Sequence, residues 1–122
     1  RYIYIYIFGH NLTNMRTIKK TKSFGEHLRT LREDAGLTLK SVSEQISIDT
    51  SLLAKIERNE RQPTKQIIKQ IADYFKVDEK ELLNDFLSDQ IAYKIIDEEA
   101  DLSILKAAEE KVKYLKSNLV KN

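Results

Sequence analysis

The residues best placed to act on a partner lie between Asp49 and Arg61. Leu53 and Ile56, three apart, mark one apolar side of a short helix, which leaves Thr50, Ser51, Ala54, Lys55 and Arg58 on the other. Hydroxyl groups can donate to or accept from most base edges, and a lysine ammonium can donate to guanine O6 and N7. A helix with an apolar back and a small or polar front suits the major groove of DNA, which is about 12 Å wide and accepts one helix. Leu52 is the odd member, since it either tucks against the next helix or touches a thymine methyl.

Other chemistries find little support. His10 and His27 are far apart in sequence, and His27 reads as a surface residue of the first helix, near phosphate. Asp97, Glu98, Glu99 and Asp101 read as a solvated helix end, because their spacing matches no known cation loop. No Ser/His/Asp or Cys/His set, glycine-rich phosphate loop or zinc motif is visible, so the chain reads as non-enzymatic and without cofactor or metal. There is no cysteine, which suits a reducing, cytoplasmic setting.

Helices must position the Asp49–Arg61 segment, and the sequence supplies their starts and stops. Ser23-Phe24-Gly25-Glu26 is a capping box opening a first helix that runs to about Ala35 and buries Phe24, Leu28 and Leu31. Gly36 supplies the left-handed residue that ends it. Thr38 caps a second helix burying Val42 and Ile46, Ser47-Ile48 makes a very short turn, and Asp49 caps the third. Asn59 to Pro63 is a polar loop. Thr64 caps a fourth helix with Ile67, Ile68, Ile71 and Phe75 inward, and Asp78 with Glu81 opens a fifth with Leu82, Leu83 and Phe86. Residues 88–119 continue as helix, with Ser88-Asp89 and Glu98 to Asp101 as the expected bends. Leu105, Ala108, Val112, Leu115 and Leu119 follow at spacings of 3, 4, 3 and 4, a short a/d seam. The fold class is therefore all-α, a five-helix domain at 23–87 with a helical extension at 88–122.

Charge is unevenly shared. From Met15 to Lys76 there are 13 Lys/Arg and 8 Asp/Glu, and from Val77 to Asn122 there are 7 and 11. The basic half suits a polyanion and the acidic half faces elsewhere. Residues 1–14 alternate Tyr and Ile like a strand, but no second strand-like run exists to pair with them. They read as upstream sequence ahead of a start at Met15, or else as an edge strand in a dimer. Residues 15–22 read as a basic arm.

The run from Phe24 to Leu83, FGEHLRTLREDAGLTLKSVSEQISIDTSLLAKIERNERQPTKQIIKQIADYFKVDEKELL, resembles the lambda-repressor/Cro-like (XRE-like) helix-turn-helix regulators. The resemblance implies that Thr50, Ser51 and Lys55 read bases, and that Arg58, Asn59 and Arg61 meet phosphate. It implies a structural ion pair between Arg32 and Glu57. Where the family often carries a phosphate-binding Gln, this chain has Leu39 followed by Lys40, so Lys40 takes that contact. The family's usual glycine between the second and third helices is Ser47, and its usual glycine after the third is Asn59.

The implied protein is a transcriptional regulator, a repressor or operon controller, that binds a pseudo-palindromic operator in double-stranded DNA as a homodimer. The alternative is an antitoxin-like or adaptor protein holding a partner protein with its C-terminal helices. The 88–122 extension is either the dimerisation arm, burying Ile91, Ile95, Leu102, Leu105, Val112 and Leu115, or extra core folded back on its own domain.

Overall fold

Four of the five helices of the domain start where a side chain takes up an amide proton left free at the helix N-terminus. The computed structural model describes residues 22–121, and among them the chain forms six helices and no strand. They are α1 (Phe24–Asp34), α2 (Leu39–Gln45), α3 (Thr50–Glu57), α4 (Lys65–Phe75), α5 (Glu79–Asp97) and α6 (Ile104–Lys121). The N-terminal extension at 1–14, and the basic arm apart from Lys22, lie outside the described residues.

The capping box at Ser23 is complete: its Oγ accepts from the Glu26 amide at 3.2 Å, and the Glu26 carboxylate accepts from the Ser23 amide at 3.0 Å. Thr38 and Thr64 cap α2 and α4 through the amides of Ser41 (3.0 Å) and Ile67 (3.1 Å). Asp49 occupies the cap position of α3 in extended backbone, but its carboxylate takes no cap hydrogen bond, so it does not cap as the sequence suggests.

The helix ends share one device. Gly36, Ser47, Asn59, Lys76 and Glu99 all have φ between +50° and +70°. After α2, Ile48 N–H donates to Ser43 O (3.0 Å) and Ser47 N–H to Glu44 O (3.3 Å). After α3, Glu60 N–H donates to Lys55 O (2.8 Å) and Asn59 N–H to Ile56 O (3.0 Å). These paired bonds satisfy carbonyls that the helix leaves open. Only one of the five left-handed positions is glycine; Asn59 tolerates that backbone, whereas Ser47, Lys76 and Glu99 each carry a steric cost of about 1–2 kcal/mol.

Five helices close over one core. Phe24 and Leu28 of α1 meet Val42 and Ile46 of the α2 end, Leu53 and Ile56 of α3, Ile68, Ile71 and Ala72 of α4, and Leu82 of α5. Leu28, Val42, Leu53 and Ile71 are fully buried, each such side chain contributing about 1.5–3 kcal/mol through burial. Leu31 is only half-buried. The architecture is that of an all-α, lambda-repressor-like domain.

The described residues divide into two units, with the boundary between Asp89 and Gln90. The bend expected at Ser88-Asp89 is absent, for α5 runs through both residues. Asp89 instead accepts from the Phe24 amide at 2.7 Å, so the residue read as a helix break caps a different helix. The break at Glu98 to Asp101 is present and ends on Glu99 in left-handed backbone.

Within residues 90–122, α6 is laced by its own ion pairs, Lys106 to Glu109 (3.3 Å), Lys106 to Glu110 (3.6 Å) and Lys113 to Glu109 (3.3 Å). Of the apolar residues assigned to the extension, Ile95 is buried, whereas Ile91, Leu102, Leu105, Val112 and Leu115 are exposed in the single chain.

Candidate nucleic-acid interface

The turn between α2 and α3 spans only Ile46 to Asp49, and the side chains on either side of it fix its geometry. Ser43, fully buried on α2, donates its single hydroxyl proton to Lys40 O at 3.0 Å. Its oxygen lies 2.7 Å from the Thr50 hydroxyl at the start of α3. Because the Ser43 proton is already committed, Thr50 is the donor of that bond. Thr50 therefore keeps acceptor capacity toward a ligand but not its proton. From α4, Gln70 Nε2 donates to Ile46 O at 2.9 Å and anchors the other side of the turn.

The back of α3 is held by Arg32. Its guanidinium makes a two-pronged contact with Glu57, Nε to Oε2 at 2.8 Å and Nη2 to Oε1 at 3.0 Å. A third bond runs from Nη1 to Leu37 O at 2.9 Å. The two side chains are 12% and 5% exposed, so water screens the pair little. Hydrogen bonding to Glu57 pushes the Arg32 guanidinium up from its already high ordinary value.

The loop after α3 is clasped to the start of α1. Asn59 Oδ1 accepts from the Gly25 amide at 3.0 Å, and Asn59 Nδ2 donates to Ser23 Oγ at 2.9 Å. Gly25 permits this approach. A Cβ there would lie 2.7 Å from Ile56 O and closer still to Glu57 O, both backbone atoms that cannot swing away. The Asn59 amide, which the resemblance assigns to phosphate, is thus committed to the protein at both ends.

His27 departs from the surface position expected of it. It is 8% exposed, and its Nδ1 lies 2.6 Å from Asp85 Oδ2 on α5. It follows Phe24 by three residues and so shares that residue's inward face. Beside it, Phe24 and Phe86 meet edge to face at 5.5 Å. Burial raises the Asp89 carboxyl above its ordinary value, against the lowering effect of the Phe24 amide bond.

The remaining residues assigned to the site are on the surface. Ser51, Lys55 and Arg61 are exposed, as is Lys40 on the first turn of α2. Among the described residues no ion pair engages Lys40, Lys55 or Arg61. Arg58 is also exposed, but its guanidinium holds Glu60 at 2.8 and 3.1 Å. That bond keeps the Glu60 carboxyl below its ordinary value. Leu52 is half-buried and packs against the core. Leu39 packs there too, so it offers nothing polar where a glutamine is usual. Among the described residues no group of three or more His, Asp or Glu side chains could hold a metal ion, and no helix is long and apolar enough to cross a membrane.

The sequence reading missed the Ser43–Thr50 bond, the Asn59 clasp and the Gln70 anchor. Gly25 was the available signal, a glycine in the first turn of a helix where no turn requires one.

No curated protein gives a significant match to the chain. Residues 25–85, which run from α1 into the first half of α5 and make up half of the chain, match the model of a helix-turn-helix domain. With two short helices joined by a four-residue turn and braced by three others, the chain belongs to the helix-turn-helix domain family.

Proposed function

We propose that the protein is a sequence-specific DNA-binding transcriptional regulator, a repressor that occupies promoter DNA as a homodimer with α3 in the major groove. The supporting observation is the contrast between the two sides of α3. Leu53, Ile56 and Glu57 are buried, while Ser51 and Lys55 are exposed one turn apart with Lys40 and Arg61 nearby in sequence and unpaired among the described residues.

In this reading Lys55 donates to a guanine edge, Ser51 donates or accepts, and Thr50 accepts from an adenine or cytosine amino group. Lys40 and Arg61 meet phosphate. Arg58 does so by exchanging the exposed Glu60 carboxylate for a phosphate oxygen. Asn59 holds the loop that carries Arg61 and makes no phosphate contact through its side chain.

Selection of bound duplexes from a random pool tests the reading. It should enrich a pseudo-palindrome whose half-sites lie about 34 Å, one helical turn, apart. A reporter driven through the selected sequence should fall when the protein is present. Recovery of unenriched DNA, or of single half-sites without spacing, would overturn the operator reading, and a reporter that rises would overturn repression.

A further inference from the structure

The apolar stripe of α6 carries a directional charge pattern. Leu105, Val112, Leu115 and Leu119 are 47% to 73% exposed in the single chain, far more than residues of a finished core. With Leu105 at heptad position a and Ala108 at d, Glu109 and Lys116 fall at e, and Lys111 and Asn118 fall at g.

Those flanking residues distinguish the ways two copies of α6 can pair. In a parallel pair, g of one helix faces the following e of the other, which sets Lys111 against the partner's Lys116 twice over. In an antiparallel pair, e faces e and g faces g. The register that stacks Val112 on the partner's Leu115 and Ala108 on the partner's Leu119 brings Glu109 to the partner's Lys116, again twice. It also sets Lys111 against the neutral Asn118 and fits the smallest seam residue to a leucine. Sliding by one heptad, so that Val112 meets the partner's Ala108, instead faces Glu109 with itself and Lys111 with itself.

We propose that α6 pairs with α6 of a second copy of this chain, antiparallel and in the register that joins Glu109 to the partner's Lys116. The proposal rests on the homodimer reading above and adds its surface and orientation. Glu109 already bridges Lys106 and Lys113 on its own helix, whereas Lys116 has no ion pair among the described residues.

Sedimentation equilibrium of the full chain at low salt tests this, with three variants of exposed residues. Lys116→Glu should weaken dimerisation about tenfold, since two attractive pairs become repulsive. Glu109→Lys should weaken it similarly. The double exchange, Glu109→Lys with Lys116→Glu, should return the dimer to within about threefold of the original, because the pair is restored with its signs reversed. Tightening of the dimer by Lys116→Glu would indicate a parallel pair, in which Lys111 gains a partner, and would overturn the proposal. Unchanged dimerisation in all three variants would also overturn it, while leaving a homodimer formed elsewhere. A wild-type chain that stays monomeric at tens of micromolar would overturn both the pairing and the homodimer reading.

Discussion

Arg32 and Glu57 carry the largest single-residue consequence in the domain. Their two-pronged contact is almost wholly removed from water and joins α1 to the last residue of α3. Removing one partner leaves the other charge buried without compensation. Arg32→Ala should therefore cost about 3–5 kcal/mol, read as a fall in the urea midpoint. Arg32→Lys keeps the charge but not the planar fork, and should fall between. Arg61 belongs to a different class, because it is exposed and its proposed target is phosphate. Arg61→Ala should weaken binding to all DNA sequences alike and reduce the salt slope of log Kd by about one unit, with no change in fold stability.

At the scale of elements, caps and left-handed ends set the register of α2 against α3. Ser47 holds a left-handed conformation in the turn where a glycine would sit without strain. Ser47→Gly should stabilise the domain by about 0.5–1 kcal/mol, part of the relief being offset by the greater freedom of glycine in the unfolded chain. The capping box adds a pH dependence. The Ser23 amide bond holds the Glu26 carboxyl below its ordinary value of 4.5. A lowered folded-state pKa contributes stability above the unfolded value and loses it as pH falls through the folded one. Stability should thus decline below about pH 4.5, and Glu26→Gln should flatten that part of the curve.

The same elements show what a sequence displays and what it conceals. Apolar periodicity made α1 to α4 legible, joined at α1, α2 and α4 by hydroxyl caps, because burial and capping each leave a local mark. The left-handed ends at Lys76 and Glu99 left none, since neither residue type advertises that backbone. The Ser88-Asp89 pair resembled a helix break because both residues favour turns, yet Asp89 has a distant partner in the Phe24 amide. Among the site residues, Lys55 and Arg61 were legible as exposed cations. The commitments of Thr50 to Ser43, and of Asn59 to Gly25, depend on helices that meet only in the folded chain.

At the scale of the whole molecule, the two halves divide by charge. Residues Met15 to Lys76 carry a surplus of five positive charges (13 against 8), and Val77 to Asn122 a deficit of four (7 against 11). In the proposed dimer the basic part of each copy faces DNA. Two copies double the phosphate contacts, which steepens the salt dependence of binding. Glu109→Lys, by weakening the α6 pair, should weaken operator binding most at low protein concentration and leave the preferred half-site sequence unchanged. Competition titrations over a range of protein concentrations would show this.

The central claim is that α3 reads base edges, and Lys55 is the residue on which it can be tested most cleanly. The measurement is the affinity of wild type and Lys55→Ala for the selected operator and for its single-base variants, at one fixed salt concentration. Wild type should discriminate at every half-site position that matters by about 1–3 kcal/mol, and Lys55→Ala should lose that discrimination at one guanine position while keeping it at the others. If Lys55→Ala kept every base preference of the wild type, α3 would not be the reading helix.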